Sequence, residues 1–363
     1  MPADNRAGDG RRTRVAVVFG GRSTEHSISC LSAGTVQAAL GEAGYDVLAV
    51  GVTADGGWVL APPDQRYTLL GTDLPSVSGG EPLTFSCDPG APGLVGADGR
   101  LLAVDVVFPV LHGRFGEDGT IQGLLEMAGL PYVGSGVYAS AAAMDKAHMK
   151  TALRGAGLPI ADYAVVHAGR PLPDGLLDLL GAPVFVKPAR GGSSIGISKV
   201  TCADALPEAI SLAAQSDSKV LIEAGVIGRE IECAVLAAAD GATPEASVPA
   251  EVTVAEGFDF YDFDAKYLSD ATTFTVPAQL PAEVTAEIRR LAVAAYEALD
   301  CEGLARVDVF VCPDGRVVLN ELNTMPGFTA VSMYPRMWAA SGLPLPALVD
   351  RLVRDALRRA ANC

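Results

Sequence analysis

Two carboxylates and a carboxamide in residues 306–323, RVDVFVCPDGRVVLNELN, stand where a hairpin would bring them together. Two strand-like runs flank Pro313-Asp314-Gly315-Arg316, and Asp-Gly between such runs is a strong hairpin signal. A turn centred on Asp314 and Gly315 sets Asp308 opposite Glu321 and Arg306 opposite Asn323. Side chains alternate along a strand, so Arg306 and Asp308 share a face, as do Glu321 and Asn323, while Val307, Val309 and Val311 point the other way. Directly opposed residues have Cβ atoms about 5 Å apart, and two carboxylates that close repel unless a cation lies between them. Oxygen ligands without His or Cys suit magnesium, which keeps waters and completes its shell with substrate phosphates. An exposed acidic strand face with Arg306 as counter-ion explains the segment equally well on its own. The next residues shift the balance toward a site: Thr324-Met325-Pro326-Gly327-Phe328-Thr329 is a loop, and Gly327 permits close backbone approach to a ligand.

A second candidate is VFVKPARGGSSIGISKV, Val184 to Val200, which reads as strand, Gly/Ser turn and strand. It is not a Walker A loop, because no GK[ST] ends it and no helix follows. Gly191, Gly192 and Gly196 with Ser193 and Ser194 fit a flap that closes over phosphate oxygens, although a plain glycine-rich hairpin is the commoner meaning of such a stretch alone. The chain has only six lysines, Lys146, Lys150, Lys187, Lys199, Lys219 and Lys266. Lys187 ends a strand facing the flap, Lys146 starts a helix, and Lys266 lies in a polar aromatic loop spanning 256–275. Ammonium groups neutralise polyphosphate well; chance placement of three lysines beside such loops is the alternative.

The elements that must position these groups alternate short buried-type strands with helical patterns in the first third of the chain, the mark of a parallel sheet flanked by helices. Strands are expected at 15–19, 47–52 and 104–110, and helices at 27–40 and 118–128. Residues 61–100, rich in Pro, Gly, Asp and Ser, read as a surface excursion with little regular structure. An α+β module begins near Ser135. From Lys219 the pattern is strand-rich, followed by a helix at 283–299, the hairpin, and a closing amphipathic helix at 346–360.

The 363 residues, 49% hydrophobic, allow two or three domains. No run approaches the roughly 18 apolar residues that span a bilayer, and the five-residue run 15–19 is too short for a signal-peptide core, so a cytoplasmic chain without membrane attachment is expected. A net charge of −16 opposes nucleic-acid binding. The seven cysteines are scattered singly, without CxxC spacing, and read as reduced packing residues.

Taken in order, the segments resemble those of the ATP-grasp enzymes, and specifically the D-alanine–D-alanine ligases. The resemblance rests on FGGRSTEHSIS (Phe19 to Ser29), VFPVLHGRFGEDGTIQGLLE (Val107 to Glu126), PYVGSG, AMDK, VKPARGGSSIG, IEAGVIGREIE, FYDFDAKYLSD, ARVDVF and NELNTMPGFT, and covers nearly the whole chain. It implies an ATP-grasp fold, α/β and α+β, in three parts: an N-terminal parallel-sheet, Rossmann-like domain over 1–134 with the first D-alanine site, a central ATP-grasp subdomain over 135–222 with the flap, and a C-terminal subdomain over 223–363 with the metal hairpin and an omega-type loop. ATP would lie between the last two. The resemblance implies adenine and ribose contacts at Glu223 and Glu230 and phosphate contacts at Lys146, Lys187, Lys266, Ser193 and Ser194. Two magnesium ions, replaceable by manganese, would sit on Asp308, Glu321 and Asn323. Glu25, helped by His112, would hold the first D-alanine's ammonium; of His26 and His112, only His112 is expected to take part. Arg306 and the backbone of Gly327 would stabilise a tetrahedral oxyanion, and Ser332 and Met333 would receive the second substrate's carboxylate. Ser193 and Tyr267 would join Glu25 in a hydrogen-bonded triad that ties flap and loop over the reactants. Gly225 departs from the pattern, being small beside the expected adenine pocket.

The implied reaction joins two D-alanines through a D-alanyl phosphate, releasing ADP and phosphate, for peptidoglycan precursor synthesis, in a homodimer. The nearest rival is a D-alanine–D-lactate or D-alanine–D-serine ligase of the resistance type; Tyr267 in its loop motif favours an amine nucleophile. A catalytically inactive nucleotide-binding regulator is the rival from another class, and the complete polar set counts against it. A Rossmann dehydrogenase is weaker still, because Gly20-Gly21 lacks the GxGxxG spacing.

Overall fold

Val15 to Phe19 are all fully buried, which explains an apolar run with no polar alternation. They form the centre of β1 (Arg14–Gly20) in the computed structural model, which describes residues 10–62, 67–68, 74–88, 90–173, 175–192, 195–239, 242–254 and 272–361. There follow α1 (His26–Glu42), β2 (Asp46–Val52), β3 (Trp58–Leu60), β4 (Glu81–Ser86), β5 (Gly93–Gly96), β6 (Leu101–Leu102), β7 (Val106–Pro109) and α2 (Thr120–Met127). The sheet runs β6-β5-β4-β3-β2-β1-β7. Only its β2-β1-β7 part is parallel; β3 to β6 extend it antiparallel. The expected excursion at 61–100 therefore supplies two strands, β4 and β5, each burying one leucine, Leu83 and Leu94. Its Gly, Pro and Asp residues include hairpin punctuation, which composition alone does not separate from irregular loop.

Next come α3 (Val137–Met144) and α4 (Lys146–Gly155), split by Asp145, whose carboxylate accepts the N–H groups of Ala147 and His148 at 3.1 and 3.2 Å as an N-cap. β8 (Tyr163–His167), α5 (Leu176–Leu180), β9 (Val184–Pro188), β10 (Ser198–Val200), α6 (Leu206–Ala214) and β11 (Lys219–Ala224) build a four-stranded antiparallel sheet, β10-β9-β11-β8. β11 runs through Glu223 to Ala224, so a division at 222/223 cuts a strand. Met149 and Leu153 of α4 pack with Ile231, Val307 and Leu322 of the third sheet, away from the sheet that follows them in sequence.

That third sheet comprises β12 (Arg229–Leu236), β13 (Glu245–Ala246), β14 (Ala250–Val254), β15 (Thr272–Thr275), β16 (Leu304–Val311) and β17 (Val317–Asn323), ordered β15-β14-β12-β16-β17 with β13 beside β12. Helix α7 (Ala282–Ala298) precedes the last hairpin, and α8 (Met333–Ala340) and α9 (Leu345–Ala360) end the chain. Leu348 and Leu352 of α9 return to a core shared with Val17, Val36 and Leu40 of the first unit, as the amphipathic pattern of the terminal helix requires. Six cysteines fall among the described residues and are all free; Cys30, Cys233, Cys301 and Cys312 are buried, whereas Cys87 and Cys202 are exposed.

The β16–β17 ladder pairs Arg306 with Asn323 and Asp308 with Glu321, as expected. Nearer the turn it is displaced by one, with Val309 opposite Leu319 and Val311 opposite Val317. The turn spans 312–316, closed by the Cys312 N–H to the Arg316 carbonyl at 2.8 Å. Asn320 is the extra residue of a β-bulge, and it restores downstream the register that a two-residue turn would have set.

Candidate active site

A cleft of about 400 Å³ is lined by the four-stranded sheet, the third sheet and the start of α1. Glu25, His112, Lys146, Lys187, Glu223, Glu230, Arg306, Asp308, Glu321, Asn323, Gly327, Ser332 and Met333 all line it. Ser193, Ser194, Lys266 and Tyr267 lie outside the described residues.

On the hairpin wall the Arg306 guanidinium forks onto Asp308, Nε to Oδ1 and Nη2 to Oδ2, both at 2.7 Å, with Glu232 3.5 Å away. Burial works against the charge on Arg306, but Asp308 and Glu232 hold its pKa well above the ordinary guanidinium value. Lys146 Nζ stands 3.7 Å from Glu321 and donates to the Gly191 carbonyl at 2.7 Å. The Asn323 side-chain oxygen accepts the Met325 N–H at 2.8 Å, which fixes the amide's orientation. Each facing carboxylate thus already has a protein cation near it. Among the described residues no three His, Cys, Asp or Glu side chains converge into a closed metal cage. Two carboxylates and an amide oxygen form an open, oxygen-only set, which fits an ion that finishes its shell with water and phosphate.

The opposite wall is drier. Lys187 of β9 pairs in register with Leu221, and Glu223 lies two residues further along β11, so both side chains stand on one face of the sheet. Lys187 binds one Glu223 oxygen and Lys150 the other. Burial pushes the Glu223 carboxyl up, but the two ammonium groups pull it below the ordinary range. Lys150 also reaches the Asn320 carbonyl at 3.4 Å. Lys219 holds both oxygens of the capping Asp145, at 2.8 and 2.9 Å, and so anchors the start of the helix that carries Lys146. Gly225 is explained by backbone approach: its N–H donates to the Pro183 carbonyl at 2.8 Å, and a Cβ would come within 2.7 Å of that oxygen. The cleft wall at this point is made by Ala224 and Val226 instead.

At the far end Glu25 occupies the N-cap position of α1, and a Cβ on Gly192, at the start of the flap, would lie 3.4 Å from its Oε2. Buried His112 contacts the Met325 carbonyl through Nδ1 and the Ser32 hydroxyl through Nε2, both at 3.2 Å. Burial lowers its pKa, so at neutral pH it is uncharged, with Nδ1 as the donor. Glu117 lies 4.0 Å from the same ring, and burial, reinforced by Glu25, pushes its carboxyl up to about 8. His26 instead braces the loop beneath, contacting the Gly21 carbonyl at 2.8 Å and accepting the Val77 N–H at 3.0 Å. Ser332 is the N-cap residue of α8, and its Oγ accepts the Thr329 N–H at 3.0 Å. A Cβ on Gly327 would stand 2.8 Å from that Oγ, so a larger residue at 327 would have to displace the Ser332 side chain within this loop.

Lys150, Glu117 and Glu232 are site residues that the sequence reading passed over. Two had a usable signal: Lys150 is four residues after Lys146 on one helix face, and Glu232 is two after Glu230 on one strand face. Glu117 had none, because its importance lies in its burial.

Comparison with known proteins agrees along the chain. Family models described as D-ala D-ala ligase N-terminus and D-ala D-ala ligase C-terminus match residues 14–135 and 152–354. The D-alanine--D-alanine ligase of Frankia casuarinae is 56% identical, covering 98% of this chain and 99% of that protein. That of Rhodococcus opacus is 55% identical, covering 96% and 98%. Among solved structures, the D-alanine-D-alanine ligase from Coxiella burnetii matches with a TM-score of 0.84 at 34% identity, covering 96% of this chain and 95% of that one. The VanG D-Ala:D-Ser ligase from Enterococcus faecalis matches with a TM-score of 0.82 at 34% identity, covering 95% and 99%.

Proposed function

The chain belongs to the D-alanine–D-alanine ligase family, and from that premise we propose that it joins two D-alanines with ATP through a D-alanyl phosphate, releasing ADP and phosphate. The observation that carries the reading is one cleft holding Asp308 opposite Glu321 on one wall and Lys187 with Glu223 on the other. A carboxylate is a poor electrophile, so the first D-alanine must take the γ-phosphoryl group before an amine can attack it. Lys146, Lys187 and Lys266 neutralise phosphate charge, and Glu223 and Glu230 receive adenine and ribose. Two magnesium or manganese ions held by Asp308, Glu321 and Asn323 would supply further neutralisation of the phosphates.

Glu25, with His112 behind it, takes the first ammonium. The second substrate's carboxylate lies at Ser332 and Met333, where the first turn of α8 has N–H groups without helical acceptors. Its amine attacks the acyl carbonyl, and Arg306 with the Gly327 N–H stabilises the oxyanion. An acyl phosphate open to water hydrolyses, so the flap with Ser193 and Ser194 and the loop with Tyr267 close over it; the nearness of Gly192 to Glu25, whose Oε2 a Cβ at 192 would meet at 3.4 Å, supports this closure. We assign the first substrate to the N-terminal unit, the flap to a central unit and the metal hairpin to a C-terminal unit, in a cytoplasmic homodimer that serves peptidoglycan precursor synthesis. Among the described residues no helix is long and apolar enough to cross a membrane.

The likeness to VanG shows that ligases of both acceptor types share the fold. Identity of 55–56% over nearly the whole chain to D-alanine--D-alanine ligases favours D-alanine as the acceptor. The test is phosphate release with ATP and magnesium. Release and dipeptide formation are expected with D-alanine and not with L-alanine; faster turnover when D-lactate or D-serine joins D-alanine would overturn the acceptor assignment.

A further inference from the structure

The two lysines on Glu223 are not equivalent. Lys187 lines the cleft at 9% exposure, whereas Lys150 is 0% exposed and lies behind the lining. One carboxylate therefore has one partner that can reach a ligand and one that stays in the protein. Lys150 is further tied down by the carbonyl of the bulged Asn320, on a helix whose start is fixed by Asp145. Glu223 itself is 5% exposed, so a nucleotide that drew Lys187 away would strand a buried anion if no second cation remained.

We infer that Lys150 is a positioning residue, the standing counter-charge of Glu223, which lets Lys187 leave that carboxylate for a nucleotide phosphate. The oxygen that Lys187 vacates then accepts the exocyclic amine of adenine. Being acceptor-only, it rejects a base with a carbonyl oxygen at that point, as in guanine. The inference rests on the proposed reading of Lys187 and Glu223 as nucleotide contacts. It adds a residue that never touches the nucleotide and yet sets both its affinity and its base preference.

The test is Lys150→Met in the full-length enzyme, a change close in shape that removes the charge. Glu223 keeps Lys187, so the fold is expected to hold, while Lys187 is locked in place. The KM for ATP should rise about ten- to a hundredfold, the KM for D-alanine should move less than about threefold, and the preference for ATP over GTP should shrink. In a Glu223→Gln background the buried anion is gone, and adding Lys150→Met should no longer raise the ATP KM. A lysine that merely supports packing costs the same in both backgrounds. That result, or an unchanged ATP KM in the single variant, overturns the inference. Should Lys150→Met alone fail to fold, ADP affinity compared between Glu223→Gln and the double variant decides the point by the same criterion. Failure of the underlying functional reading is separate: it appears as absence of D-alanine-dependent phosphate release in the unaltered enzyme.

Discussion

The two walls of the cleft hold opposite arrangements of charge and are assembled differently. The hairpin wall draws Arg306, Asp308, Glu321 and Asn323 from two paired strands, and its carboxylates keep 16% and 32% side-chain exposure. The opposite wall takes Lys150, Lys187 and Glu223 from one helix and two strands, with side-chain exposures of 0%, 11% and 7%. Groups on the first wall are held by ladder register, and the more exposed Glu321 can be altered without disturbing a core. Those on the second neutralise one another out of water, where each depends on its partners. Substitution of Glu321 should therefore act on chemistry with little effect on stability.

The largest expected effect is at Glu321. Glu321→Gln keeps the shape and removes one of two facing carboxylates, and several kcal/mol of metal-dependent stabilisation corresponds to a loss on the order of 10³ in rate. Dipeptide synthesis should fall at least that far, while the thermal midpoint, followed by circular dichroism, moves by no more than about 2 °C. Near-normal turnover would break the contrast at its strongest point, because the hairpin wall would then be only a solvated acidic face.

Arg306→Lys is expected to act next most strongly. Lysine keeps the charge but not the two parallel 2.7 Å bonds to Asp308, and loss of one well-placed oxyanion donor typically costs about 3 kcal/mol, roughly a hundredfold in kcat. Steady-state kinetics should show the loss in kcat, with the ATP KM within about threefold. A loss confined to the ATP KM would make Arg306 a wall counter-charge and nothing more.

The same contrast governs what the sequence could reveal. On the hairpin wall, alternation and a turn signal were enough to oppose Asp308 and Glu321, although the path to that register was misread. The turn is longer than two residues and Asn320 bulges, and the two departures cancel beyond Val309. Lys150 was legible only as the fourth residue after Lys146, because its burial depends on α4 packing against a sheet that comes some 80 residues later. The strands at Glu81–Ser86 and Gly93–Gly96 were hidden for a related reason: each pairs with a short neighbour and buries a single leucine, so the period-two signal is nearly absent.

Glu117 should give the smallest effect and the finest probe of the first wall's field. Its carboxyl is raised from 4.5 to about 8, first by burial and then by Glu25, with Glu321 adding to the shift and Arg306 opposing it. Between those two values the folded chain keeps a proton that the unfolded chain has released, so stability falls as pH rises through the window. His112 adds an opposite slope while the unfolded imidazole titrates around its ordinary value near 6.5, because burial keeps the folded one neutral, and that contribution is common to both proteins compared. The ligand-free enzyme should therefore lose about 1 kcal/mol or more between pH 6 and pH 8.5 that Glu117→Gln does not lose. Melting both proteins across that range checks the sign. Repeating the pair with Glu321→Gln present should flatten the wild-type slope slightly, since one of the charges that raises the carboxyl is gone. An unchanged slope would mean that burial and Glu25 hold the proton without Glu321 and that this carboxylate's field does not extend to this end of the cleft.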